Sequence, residues 1–155
     1  MKKEDIRKWT KQEFEDIHEL IKYKENLSHY DFLRIRNFKS NLFSSENEGN
    51  IKKITKESFE LAKEDKIKEA VEKLLNLQGV GVPIASAILS MKFPEKFAII
   101  DNRVIKNLGK DEWLKTYLSS PETYEKYLLL LRKESEEKSV SLREFERNLF
   151  ESDSI

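Results

Sequence analysis

Asp101 is the residue with the clearest chemical potential in this chain. It follows the apolar run Phe97-Ala98-Ile99-Ile100 and stands twenty residues after Gly81, in the turn Leu77-Gln78-Gly79-Val80-Gly81. A carboxylate there could orient a water, or stabilise positive charge developing on a sugar as its substituent departs. Aspartate is also a helix N-cap, worth about 1 kcal/mol through a bond to the helix amides, and one carboxylate can do both jobs. The turn offers a second chemistry. Two of the chain's 4 glycines flank Val80, and glycine lets an anion approach the backbone closely. A helix starting at Val82 would present unpaired amides and its positive dipole end. The plain alternative is a turn that only joins two core helices.

These residues are carried by a chain whose periodicity is almost entirely helical. Ile6, Trp9, Phe14, Ile17, Leu20 and Ile21 line one face of a first helix; Tyr30, Leu33, Ile35, Phe38 and Leu42 suggest a second, ending before Ser44-Ser45-Glu46-Asn47-Glu48-Gly49-Asn50. A short helix is expected from Thr55 to Glu64. Ile67, Ala70, Val71, Leu74 and Leu75 then follow the i, i+3, i+4, i+7, i+8 pattern of an amphipathic helix ending near Asn76. Pro83 suits the first turn of the next helix, where its missing N–H costs nothing. Asp101 and Gly109 read as the N-cap and C′ residue of one short helix, and Ser120-Pro121 opens another. Ser141-Leu142-Arg143-Glu144 is a capping box, with Val140 and Phe145 placed as its hydrophobic staple. Alternation of the strand type is confined to the brief Phe97–Ile100 run. The expected fold is all-α, a single compact domain over 1–155 with a helix–hairpin–helix at about 66–91.

Composition excludes several function classes. The 155 residues carry 29 basic and 29 acidic side chains, so the chain is not a bulk polycation, though a local patch is open to it. Residues 71–110 hold six basic and three acidic residues, while 111–155 hold seven and eleven; the positive surplus surrounds the glycine turn. The absence of cysteine removes disulfides, thiolate metal sites and cysteine nucleophiles. His18 and His29 are too few for a histidine-rich metal site. The charged N-terminal stretch is unlike a signal peptide, and no run approaches a membrane span. The expectation is a soluble, cytoplasmic protein.

The segment "LLNLQGVGVPIASAIL … FAIIDNRVIKNLG" resembles the signature of the helix–hairpin–helix DNA glycosylase superfamily over about residues 66–109. There a hairpin of the form L-x-G-V-G leads into a small-residue helix, and an apolar run ends in an aspartate at a helix start. The resemblance implies double-stranded DNA as partner. It implies a phosphate held by the amides around Gly79, Val80, Gly81 and Val82, and Asp101 as the catalytic carboxylate of base excision. It also implies no obligatory cofactor, with a monovalent cation ligated by the carbonyls of Leu75, Leu77 and Val80. Two positions depart from the pattern. Pro83 stands where bifunctional members place a nucleophilic lysine, which implies a monofunctional enzyme. Arg103 stands where many members have histidine. The rival expectation is a non-catalytic module that recognises DNA structure or mediates protein contacts.

Other residues have two readings each. Arg103, Lys106 and Lys110 share a helix face at i, i+3 and i+7, either a solvated face or a set of DNA-backbone contacts. Arg34, Arg36, Lys39, Lys52, Lys53 and Lys56 flank the 44–50 loop as a candidate second patch. Trp9, Trp113, Phe38 and Phe43 are core aromatics, or else a wedge or stacking platform for an extruded base. His18 reads as a surface residue and His29 as a helix-start residue.

Overall fold

The computed structural model describes residues 3–39 and 46–152, with side chains described from Thr10 onward. Within that range the chain is all-helical. The helices are α1 (Lys3–Ile21), α2 (His29–Lys39), α3 (Glu48–Lys63), α4 (Ile67–Leu74), α5 (Val82–Lys92), α6 (Asn102–Asn107), α7 (Pro121–Glu137) and α8 (Leu142–Glu151). A 3₁₀ turn at Asp111–Lys115 lies between α6 and α7. No strand occurs among the described residues, and no helix there is long and apolar enough to cross a membrane.

The capping signals place the helix ends well. Asp101, Ser120 and Ser141 each accept a hydrogen bond from a first-turn amide of α6, α7 and α8. Gly109, at φ +72°, follows α6 as expected. Its N–H donates to Lys106 O and that of Lys110 to Ile105 O, the paired bonds of a Schellman motif. One boundary differs. Helix α3 begins at Glu48, seven residues earlier than its apolar spacing suggests, because Asn47 accepts from Asn50 N at 2.7 Å and caps it. Glu48 then sits against the positive helix end. The loop-like composition of 46–50 is that of a cap and first turn, not of a linker.

Helix α5 is the centre of the molecule. Apart from half-buried Pro83, every side chain from Val82 to Lys92 is buried, as expected of a helix apolar on all sides. Helices α1, α2 and α4 pack against it, α3 pairs with α4, and α7 bridges α4 to α8. Buried apolar side chains from Phe14 to Phe145 form one continuous cluster.

A cation terminates α5 inside this core. Lys92 is 7% exposed, and its Nζ donates to Ile21 O at 3.0 Å and Lys22 O at 2.7 Å, capping the C-terminus of α1. The rings of Phe59 and Phe93 lie 5.5 and 5.7 Å from the ammonium. Burial, reinforced by Lys63, pushes its pKa below the usual lysine value. Replacing Lys92 with Met should keep the stem's packing but strand the Lys22 carbonyl and leave Ile21 O with the Lys24 amide alone. The expected loss is about 2 kcal/mol, the scale of hydrogen bonds to a charged group, and denaturant unfolding reads it. An unchanged midpoint would remove the cap from the account.

Candidate functional site

The strand-like run Phe97–Ile100 belongs to no helix or strand, and no strand lies beside it among the described residues. Phe97, Ala98, Ile99 and Ile100 are all buried, so their backbone polar groups need partners from side chains. Ile99 N donates to Glu146 Oε1 at 2.8 Å, and Ile100 N donates to Ser86 Oγ at 3.0 Å. The carbonyls of Ala98 and Ile99 accept from the Tyr124 and Tyr127 hydroxyls, each at 2.7 Å. Burial pushes both phenols far above their ordinary range, so they remain donors at any physiological pH. Helices α5, α7 and α8 thus suspend this segment, and Asp101 is the first residue beyond it.

Asp101 Oδ1 accepts from Arg103 N at 2.8 Å, while Oδ2 lies 3.8 Å from Lys39 Nζ. Its side chain is 24% exposed and lines a cleft of about 240 Å³. Phe38, Ile99, Val104 and Phe150 supply the apolar lining, and Thr10 and three cation–carboxylate pairs supply the rest. Besides Lys39–Asp101 these are Arg143–Glu146 at 2.6 Å and Arg147–Glu151 at 2.8 Å. Glu146 is the second carboxylate of this wall, and its identity was not anticipated. Its signal lay in the chain: Leu142, Phe145, Glu146 and Leu149 occupy i, i+3, i+4 and i+7 after the capping box. A carboxylate on that face is turned inward. Burial raises Glu146's pKa above its ordinary value of 4.5, against the opposing pull of Arg143 and the Ile99 amide.

The glycine turn joins α4 to α5, and it is held from three sides. Gly79, at φ +75°, offers its carbonyl to Arg36 Nη1 at 2.6 Å. Arg36 is 1% exposed, an arginine from α2 wholly enclosed beside the turn. Gln78 N donates to Glu46 Oε2 at 2.9 Å, which holds the Glu46 carboxyl below its usual range. Val82 N donates to Leu118 O at 3.1 Å. Val80 is buried between the helices, and its N–H donates to Leu77 O at 3.2 Å. Two of the amides expected to meet a phosphate, those of Val80 and Val82, therefore have internal acceptors. Among the carbonyls expected to meet a cation, that of Leu77 has an internal donor.

Two helices connect turn and cleft. Helix α2 places Arg36 on the turn and Phe38 and Lys39 in the cleft; α5 starts at the turn and sends Ser86 to Ile100. The expected basic face is divided. Arg103 stacks over Phe150 at 5.4 Å and donates to Ser152 O at 3.3 Å, Lys110 lies 5.8 Å over Trp113, and Lys106 is exposed. The second patch is dispersed likewise: Arg34 pairs with Glu13 at 2.9 Å, Arg36 is buried, and Lys39 faces Asp101. His18 is half-buried against Met91 O at 2.7 Å, whereas a surface position was expected; His29 opens α2 as expected. Phe38 packs edge-on to Phe14 and Trp113 edge-on to Tyr127. The Trp9 side chain and Phe43 lie outside the described residues. In comparisons with known proteins, no family model, curated protein or solved structure matches the chain.

Two outcomes follow. At Gly79 a β-carbon would sit 2.7 Å from Arg36 Nη1 in a left-handed conformation; at Gly81, where φ is −100°, it would meet Leu118 O at 3.2 Å. Gly79→Ala should cost about 2 kcal/mol in denaturant unfolding, more than Gly81→Ala, because strain and collision coincide only at Gly79. Equal costs would contradict this. Glu146 binds its proton more tightly folded than unfolded. Its contribution is thus fully present below pH 4.5 and lost as pH rises through the folded value. The stability of the parent relative to Glu146→Gln should therefore fall from pH 4.5 to 8; a rise would reverse the assignment.

Proposed function

We propose that the chain binds double-stranded DNA and removes a base by hydrolysis in the Asp101 cleft. The observation that carries this reading is the position of Asp101. Its backbone is fixed by a suspended segment, one carboxylate oxygen is held by the Arg103 amide, and the other borders a cleft lined by aromatic rings. In this scheme the bond between sugar and base breaks, and its electron pair leaves with the base. Asp101 stabilises the positive charge on the sugar and receives the proton of the water that adds to it. Phe38 and Phe150 offer apolar faces to the extruded base. The amides of Gly79 and Gly81 and the Lys106 ammonium are assigned to the phosphate backbone, with Arg103 and Lys110 flanking them. Carbonyls of the 75–80 turn are assigned to a monovalent cation.

Pro83 has no amine, so the covalent route at that position is closed and the backbone should stay intact after base loss. A second reading, a non-catalytic DNA-structure or protein-interaction module, is favoured by one observation. Arg36, Glu46 and Leu118 already occupy polar groups of the turn.

Excision from duplexes carrying damaged bases separates the readings. The parent should release base without strand scission, and its DNA affinity should fall steeply with added salt. Asp101→Asn retains the cap but loses the charge, and should fold and bind normally while losing excision. Undiminished excision by this variant, or no excision from a broad lesion panel, contradicts the enzyme. A borohydride-trapped adduct would contradict the hydrolytic route and direct attention to Lys39, the amine that faces Asp101.

A further inference from the structure

Glu146 touches both the suspended segment and the charged wall of the cleft. One oxygen accepts from Ile99 N at 2.8 Å and the other from Arg143 Nη1 at 2.6 Å. Arg143 in turn lies over Phe14, its Cζ 3.7 Å from the ring centroid, and lines the same cleft. We propose that Glu146 is a positioning residue of the cleft: by holding the Ile99 amide and the Arg143 guanidinium together, it sets where the Asp101 carboxylate points. This rests on the reading of Asp101 as the catalytic group.

The route from Glu146 to Asp101 is short and has little slack. Two peptide bonds separate Ile99 from Asp101, and Asp101 itself is extended at φ −149°, ψ 143°. Extended backbone at Asp101 is already close to its maximal rise, and with Ile100 N bonded to Ser86 there is little chain between Ile99 and Asp101 to absorb a shift. Ile100 N is clamped to Ser86 Oγ, whose hydroxyl donates to Pro83 O at 2.7 Å in the first turn of α5. At Ile99 the carbonyl is held from the α7 side by the Tyr127 hydroxyl at 2.7 Å, and the amide is held from the α8 side by Glu146. A buried acceptor for Ile99 N could have been a hydroxyl, as it is for Ile100. A carboxylate is costlier to bury, and its second oxygen is used on Arg143 at the cleft.

The groups that face Glu146 make its ionisation separable from that of Asp101. Arg143 on α8 and Lys39 on α2 favour its charge, while the hydroxyls of Tyr124 and Tyr127 on α7 lie within its field, and Tyr127 also senses Asp101. Burial outweighs the two cations, so Glu146 takes up its proton above the usual carboxylate range. Protonation removes the charge that holds Arg143 and weakens the bond to Ile99 N.

The Arg103 amide reports the position of Asp101, since it donates to Oδ1 at 2.8 Å. Its shift should be followed by amide NMR from pH 4.5 to 8 in the parent, in Asp101→Asn and in Glu146→Gln. Asparagine leaves no carboxylate to titrate at that amide. A pH step at both Ile99 and Arg103 should therefore persist in Asp101→Asn and vanish in Glu146→Gln, which keeps an acceptor for Ile99 but not the charge. Glu146→Gln should also lower kcat of excision about ten-fold with little change in KM, the mark of a displaced group and not of weakened binding. A step confined to Ile99, or one lost in Asp101→Asn, overturns the proposal. A parent that shows the persistent step but excises nothing refutes the enzyme reading and leaves the positioning role standing.

Discussion

A backbone segment buried without a strand beside it must find its hydrogen bonds elsewhere, and in this protein that requirement organises the fold. Each polar backbone group left unmet inside the core would cost on the order of 1–3 kcal/mol. Ser86, Tyr124, Tyr127 and Glu146 meet four of them at Ala98, Ile99 and Ile100. These four side chains come from three helices, so the mutual placement of α5, α7 and α8 is set by one shared object and not by apolar packing alone. Apolar packing tolerates small slides between helices, whereas hydrogen bonds of 2.7–3.0 Å to a common segment do not. Asp101 inherits this rigidity because it is the next residue and begins α6.

The same logic links the two parts of the site. The glycine turn and the Asp101 cleft are separate surfaces, yet α2 contributes to both, and α5 runs from the turn to the segment that precedes Asp101. Arg36 anchors α2 to Gly79 O, and three residues later Lys39 faces Asp101. A ligand that engaged the turn would press on the elements that shape the cleft, which suits a polymer gripped at one place and processed at another. The internal partners of the turn also set its capacity. With Gln78 N on Glu46, Val80 N on Leu77 O and Val82 N on Leu118 O, the amides left for the proposed phosphate contacts are those at the two glycines. Positive charge is similarly rationed. Of the six basic residues in 71–110, Lys92 is buried on α1 carbonyls, and Arg103 and Lys110 lie over aromatic rings.

What was legible in the chain was local chemistry. Asp101 and Gly109 bracket α6, Ser120-Pro121 opens α7, and Ser141 starts α8, because a cap acts within one turn of itself. The helical character followed from spacing for the same reason. Long-range partners were not legible. Arg36 looks like any surface arginine, since nothing near it in sequence announces a carbonyl 43 residues away. Glu146 was readable only in part: periodicity turns it inward, but its partner, Ile99 N, lies 47 residues earlier. The Phe97–Ile100 run has the alternation of a strand but pairs with none among the described residues, because α7 and α8 return to cover it.

The most direct test of this account is native-state hydrogen exchange at Ile99 and Ile100. If side chains from α5 and α8 hold that segment as the structural centre, both amides should exchange only through global unfolding. Their exchange free energies should then match the stability measured by denaturant. Exchange at either amide through a local opening well below that value would contradict it, and would leave Asp101 at the end of a loose strand instead of a fixed one.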